Sequence, residues 1–381
     1  MSNTLTALVP KILTEAAVIF RNNSIAANLV NRGYDMDFRK KGDTINVPSY
    51  TAPSVQDITA GRGNENTPTD VVATNVSVQL SEWKEVKIQF SDLELKQIEE
   101  GRPSEALEKA VIALADHVDS YVLGQMGVKG FGAVGTAGAS FSDPANMVDA
   151  SVLLGNNNVP KRDRYSMINP TVGGAFVKDA NLSEVNAAGT SESLRDAVVG
   201  RLYSFDNYET NNLTDFVGGT LSDGTNKAAL VGTAGAAVGA TSITFDETTL
   251  TGTLVEGDIF TIAGDTQQYV VTTGGTAASN AITVSFTPAL KVAASDGDAV
   301  TFVADYTAAG LAFHKDSYIF GTAPVAIDFT GGNMVEMFTD PVSGITFTYE
   351  IERVGKSTEH SLSILYGGEV LKPEGIVRLL S

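Results

Sequence analysis

Three histidines, no cysteines and a surplus of carboxylates set the chemistry open to this 381-residue chain. Without thiols it has no disulfides, no zinc site of the Cys type and no cysteine nucleophile, which fits a reducing compartment. General acid–base work would rest mainly on carboxylates and lysines. Asp116, His117 and Asp119 cluster on one helical stretch and invite a metal or acid–base reading. The same spacing describes the charged face of an amphipathic helix, solvated or turned to a neighbouring chain, and that is the default expectation. Both carboxylates would fall in the second half of the helix, where the macrodipole does not favour them. His314 beside Lys315 and Asp316, and His360 beside Glu359, have no nucleophile at a meaningful position. Asp296 and Asp298 offer two carboxylates to a calcium ion, but the EF-hand ligand pattern is absent. Gly130, Gly132 and Gly135 match G-x-G-x-x-G, a motif that needs a strand before it and a helix N-terminus after it. Here the glycines follow a helix. The residues therefore predict no catalytic constellation, no cofactor and no metal, and Trp83, the only tryptophan, reads as a packing anchor.

The element that would carry the acidic cluster is the one long stretch of sustained helical periodicity, 103–126. Leu107, Val111, Leu114, Val118, Tyr121 and Gln125 step by three and four, and Ala106, Ala110, Ala115 and Val122 widen the stripe. Pro103 suits the first helical position, and Glu105 precedes Lys109 in the favourable order. A rod about 35 Å long results at 1.5 Å per residue.

Around it the chain reads mostly as strands. Residues 5–30 predict one or two amphipathic helices, with Leu8, Ile12, Ala16 and Ile19 and then Ile25 and Leu29 as apolar steps. Ile45 and Val47, and then Val72 to Leu80, alternate with period two. The Gly- and Pro-rich 51–70 between them predicts a long two-stranded arm that leaves the body and leans on something else. Val86, Ile88 and Phe90 mark another strand, and Ser91 with Glu94 a capping box. Helices are expected near 145–154 and 172–178, strands at 165–168 and 201–213, and a polar, mobile stretch at 181–196.

From Thr214 the composition turns to Gly, Thr, Ala and Val, with lysines only at 227 and 291. Six strand candidates follow, 228–231, 242–245, 258–263, 269–273, 281–286 and 299–304, as in a small all-β barrel or sandwich. Gly42-Asp43, Gly257-Asp258 and Gly297-Asp298 each open a strand-like run, which turn chemistry accounts for. The last forty residues predict a β-meander.

The totals exclude several classes. A net charge of −19 leaves no basic footprint for reading nucleic acid. No window holds some eighteen apolar residues, and the start lacks the pattern of a signal peptide, so no membrane span and no export are expected.

The order of parts resembles the major capsid (coat) proteins of tailed bacteriophages, the HK97 fold, and specifically the P22-type coat proteins that carry an insertion domain. The residues behind this are LTEAAVIFRNNSIAANLVNRGYDMDF followed by KKGDTINVP, the bracket GRLYSFDNYETNNL and GLAFHKDSYIF around the Thr/Gly-rich block, and the ending ILYGGEVLKPEGIVRL. The resemblance implies an α+β chain: an N-terminal arm at 1–32, an extended loop with its base strands at 33–90, and a peripheral domain with the spine helix at 91–144. An axial domain at 145–213 and 306–335, an inserted β-domain at 214–305 and a peripheral β-meander at 336–381 complete it. It implies a non-enzymatic virion subunit, assembled in the host cytoplasm into hexamers and pentamers that enclose double-stranded DNA without sequence-specific binding. A separate scaffolding protein and a portal would be its partners, since the chain begins directly with the arm. Candidate intersubunit contacts are Asp57, Arg62 and Glu65 on the arm and Glu105, Asp116 and Asp119 on the helix. The arm from Ser49 to Leu80 has no lysine, which argues against a Lys–Asn crosslink. A surface adhesive β-protein is the nearest alternative, and a carboxylate-based hydrolase the next.

Overall fold

The computed structural model describes residues 5–33, 44–50, 55, 73–91, 105–179, 200–325, 334–340 and 344–381. They fall into two compact units. One takes residues 1–14, 32–102 and 319–371, the other 15–31, 103–318 and 372–381.

In the first unit β1 (Thr44–Tyr50) and β2 (Ala73–Gln79) form a two-stranded antiparallel ribbon, in register from Thr44 opposite Gln79 to Tyr50 opposite Ala73. Its base is held by Val47, Val78 and Leu80, which pack on Ile319, Ala323 and Leu365. Gly367 has no room for a side chain, because a Cβ there would lie 2.2 Å from the Gln79 carbonyl. The proposed capping box at Ser91 and Glu94, and the arm tip apart from a fully exposed Val55, lie outside the described residues.

The main sheet of this unit runs β17 (Tyr318–Ala323), β20 (Ser357–Val370), β19 (Thr346–Val354), β18 (Met334–Thr339), and β3 (Glu82–Ser91) pairs with β20. Tyr349, Leu362, Ile364, Leu365 and Tyr366 are buried in it. The β19–β20 hairpin turns at Gly355, whose φ of 65° is accessible to glycine without strain. Trp83 is 51% exposed and so does not anchor the buried core of this sheet. It faces outward because strand alternation buries Val86, Ile88 and Phe90 more deeply on the opposite face.

The second unit holds α1 (Leu5–Asn23) from Glu15 onward, α2 (Ala26–Leu29) and α3 (Glu105–Lys129). The long helix buries Leu107, Ala110, Val111, Leu114, Ala115, Val118, Val122, Leu123 and Met126. Ala106 is exposed, and Tyr121 and Gln125 only half-buried, so the stripe rotates toward Leu123 and Met126 at the C-terminal end. Its sheet runs β4 (Gly132–Gly135), β21 (Ile376–Leu380), β16 (Ala308–His314), β5 (Arg164–Ile168), β7 (Phe205–Glu209), β6 (Arg201–Leu202). The central β16 is buried along its whole length. α4 (Asn146–Asn156) and α5 (Pro170–Lys178) add Met147, Ala150, Leu154, Val172 and Phe176 to the core over this sheet. Asn169 caps α5 by accepting from the Thr171 N–H at 2.9 Å, with Pro170 next in line.

Two expectations change here. The C-terminal strand is not the last turn of the meander: after the 3-10 turn Pro373–Gly375, β21 leaves that sheet and lies between β4, parallel, and β16, antiparallel. The expected strand 201–213 breaks into β6 and β7, because Tyr203 and Ser204 take φ of 48° and 76° in a two-residue hairpin. Residues 181–196 lie outside the described residues.

The six strand candidates of the Thr/Gly-rich block all form. β8 (Ala228–Val231), β9 (Ser242–Asp246), β11 (Ile259–Ile262), β12 (Tyr269–Thr273), β14 (Ala281–Thr287) and β15 (Ala299–Phe302) close into a barrel in the order β11-β12-β14-β9-β8-β15. β10 (Thr253–Leu254) and β13 (Gly275–Thr276) make a separate small pair. Phe260 is the hub of the barrel core, with Phe245, Tyr269, Phe286 and Phe302 rings all within 6 Å of it, Phe245 and Phe286 edge to face, Tyr269 stacked and Phe302 tilted.

Candidate functional site

The chemistry-bearing residues resolve into joints between elements of the second unit. Asp119 lies on α3 but is only 1% exposed. Its Oδ1 accepts from Ser24 Oγ at 2.8 Å and the Ala27 N–H at 3.3 Å. Its Oδ2 accepts from the N–H groups of Ile25 at 2.7 Å and Ala26 at 3.2 Å. The carboxylate thus caps α2, whose own N-terminal residue Ile25 provides no side-chain cap. Burial pushes the Asp119 carboxyl up, against the opposing pull of these four donors. Asp119 is therefore an internal clamp, which corrects its placement on an exposed face of the helix. Asp116 and His117 do face solvent, and Asp116 accepts from Asn212 Nδ2 at 3.2 Å. Glu105 is exposed and pairs with Lys109 at 2.7 Å. Asp57, Arg62 and Glu65 lie outside the described residues.

Arg378, in the apolar run IVRLL, is the second joint. It is 1% exposed and has no carboxylate within ion-pair reach among the described residues. Its guanidinium donates to the carbonyls of Gly130 at 2.7 Å, Gly257 at 2.7 Å and Val128 at 2.5 Å, and to Tyr306 Oη at 3.3 Å. The Phe216 ring stacks 5.5 Å from its Cζ. Val128 and Gly130 lie at the C-terminal end of α3, where unpaired carbonyls and the negative end of the dipole favour a cation. Gly257 belongs to the barrel, so one side chain ties helix end, barrel and sheet together. Gln268 adds a second tie: its Oε1 accepts from the Ala133 N–H at 2.7 Å and its Nε2 donates to the Ala133 carbonyl at 3.0 Å, as a neighbouring strand would.

The two described Gly-Asp pairs serve turns. Gly257 and Gly297 have φ of 98° and 79°, and the aspartates that follow reach back to the N–H groups of Val255 and Ser295. Asp258 goes further, accepting from Gly219 N–H and Lys227 Nζ in full burial. Gly42-Asp43 lies outside the described residues.

The G-x-G-x-x-G stretch is packing. A Cβ on Gly130 or Gly132 would meet Ile376 or Val377 at 2.5 and 2.8 Å, and Gly135 combines φ of 104° with a Leu380 carbonyl 2.4 Å away. The glycines let β4 lie against β21. His314 accepts the Asp316 N–H on Nδ1, and His360 shares a 2.6 Å hydrogen bond with Tyr349 Oη. Burial pushes both imidazoles down and the Tyr349 hydroxyl up. A cavity of about 400 Å³ between α3 and Phe216, Tyr306 and Arg378 is lined by glycines and apolar side chains together with the charged Lys129, Asp215, Glu256 and Arg378. Among the described residues no three His, Asp or Glu side chains are grouped to hold a metal ion, and no helix is long and apolar enough to cross a membrane.

Arg378 and Gln268 were not singled out in the sequence, although a lone arginine inside IVRLL was a visible signal. The Asp119 clamp had no local signal, because its donors lie about 95 residues away.

The fold is similar to those of two solved phage structures, one of them a capsid. A structure from Mycobacterium phage Che8 superposes with a TM-score of 0.52 at 18% identity, covering 93% of this chain and 90% of that one. The capsid structure of the cyanophage P-SCSP1u gives 0.52 at 14% identity over 94% and 88%. No family model and no curated protein sequence matches the chain.

Proposed function

We propose that this protein is the major shell subunit of a tailed-phage head, built on the HK97 plan, and that it is structural rather than catalytic. Fold likeness over nine-tenths of two phage structures, one of them a capsid, is the observation that carries the reading. The ribbon β1–β2 supports it: among the described residues it is a separate two-stranded sheet, packed on the body at its base, and a ribbon of this kind gains stability from what the rest of it lies across. Copies assemble into hexamers and pentamers and enclose double-stranded DNA, with a separate scaffolding protein and a portal as partners. The closed barrel at 214–305 serves as an inserted domain of the P22 type. A net charge of −19 suits a container, since a basic wall would bind packaged DNA through counterion release and hinder its movement. The spine helix and the extent of the fold likeness count against a surface adhesin.

Negative-stain electron microscopy of the full chain, expressed with and without its neighbouring genes, tests this. Closed particles tens of nanometres across are expected. A chain that stays monomeric under both conditions would falsify the reading.

A further inference from the structure

The cavity of about 400 Å³ beside the C-terminal end of α3 is lined entirely by residues of the second unit. Two glycines of the helix, Gly124 and Gly127, form part of its wall. Glycine is the poorest helix former after proline, so its place inside a helix calls for a reason. Gly130 and Gly310 have one within the chain, since a Cβ there would lie 2.5 Å from Ile376 and from the Met167 carbonyl, respectively. A Cβ on Gly127 would meet nothing within 4 Å, and one on Gly124 only Thr214 Oγ1 at an ordinary 3.8 Å. Neither residue has a positive φ. No contact among the described residues accounts for the two missing side chains, and the space they leave is the cavity.

An independent observation is a buried donor at the same place. Arg378, 1% exposed, also lines the cavity. Its Nη2 carries two N–H groups but has one acceptor, the Val128 carbonyl. One N–H of a buried cation is therefore unmatched within the chain, and an unmade hydrogen bond on a buried group is costly. Charge and shape narrow what would supply the acceptor. Lys129 and Arg378 are balanced by Asp215 and Glu256, so the lining carries no net charge and selects neither an anion nor a cation. Leu123 and Leu311 are buried apolar surface, and the Phe216 and Tyr306 rings stack with centroids 5.5 Å apart and planes 26° from parallel. Apolar walls with a few polar groups, at a volume of about 300–1,000 Å³, are the usual form of a small-molecule site.

We propose that this cavity binds a small neutral molecule with an aromatic ring and one carbonyl acceptor, its ring against Phe216 and Tyr306 and its oxygen on the second Nη2 N–H of Arg378. The site does not depend on the shell reading. Benzamide, benzoate, benzylamine and toluene share a ring and differ in charge and acceptor, which makes them the probes. Saturation-transfer NMR with the full-length protein should show saturable benzamide binding, at least five-fold tighter than that of the other three. Gly127→Leu, which places a side chain in the open space, should weaken benzamide at least ten-fold and keep the helical circular dichroism. On the unaltered chain, light-activated 4-azidobenzamide should label residues 123–129, 213–216 or 306–311, so the site is checked even if the variant does not fold. Absence of saturable benzamide binding, equal affinity for all four probes, unchanged binding in a folded Gly127→Leu chain, or labelling spread over other positions would each overturn the site.

Discussion

Asp119 and Arg378 are charges that the chain removes from water at the long helix, and each is held by main-chain groups instead of an opposite charge. Truncating either strands several buried donors or acceptors, each costing about 1–3 kcal/mol if left unmade. Asp119→Ala should lower the stability of the second unit by about 2–3 kcal/mol. Asp119→Asn should be nearly as harmful, since an amide N–H would oppose backbone N–H groups. Asp116→Ala, at the surface, should stay within about 0.5 kcal/mol. Urea midpoints for the three variants check this; an Asp119→Ala midpoint equal to wild type would remove the clamp. The buried histidines carry a pH dependence. Burial lowers His314 and His360 from 6.5 in the folded state, so the unfolded chain binds more protons as the pH falls below 6.5. Their contribution to stability is complete above that value and is lost as the pH drops through the depressed folded values. His360→Gln should flatten the fall in urea midpoint between pH 7 and pH 5; an unchanged slope would show that His360 does not contribute.

At the scale of elements, the barrel has its own hydrophobic core and a closed ring of strands, so it leaves no sheet edge to be completed by the rest of the chain. Residues 214–305 expressed alone should fold cooperatively as β-structure. A random-coil circular dichroism spectrum would show that the joints at Arg378 and Gln268 are needed to hold it. All six of its strands were legible from alternation and Gly-rich turns, and so were the helices within 5–30 and α3 from periodicity. The hairpin at Tyr203-Ser204 was not, because neither residue is of the Asn-Gly type that signals positive φ. β21 was legible as a strand, but its departure to another sheet was not, since nothing local in IVRLL marks which sheet it joins.

For the whole molecule, the decisive question is whether the ribbon β1–β2 is completed by another copy. Deleting residues 54–66 should leave the monomer soluble and block shell formation; normal shells by electron microscopy would show that the arm is not an intersubunit element. The sequence by itself determined composition, the long helix, the positions of most strands and the order of parts that the resemblance rested on. These follow from local periodicity and turn chemistry, which neighbouring residues report. Only the tertiary structure decided that Asp119 points inward, that Arg378 binds three carbonyls and that the G-x-G-x-x-G glycines admit a neighbouring strand. Each of those depends on groups brought together from distant parts of the chain, and hydrogen-bond satisfaction in the interior, not residue type, settles which charge is buried and which is exposed.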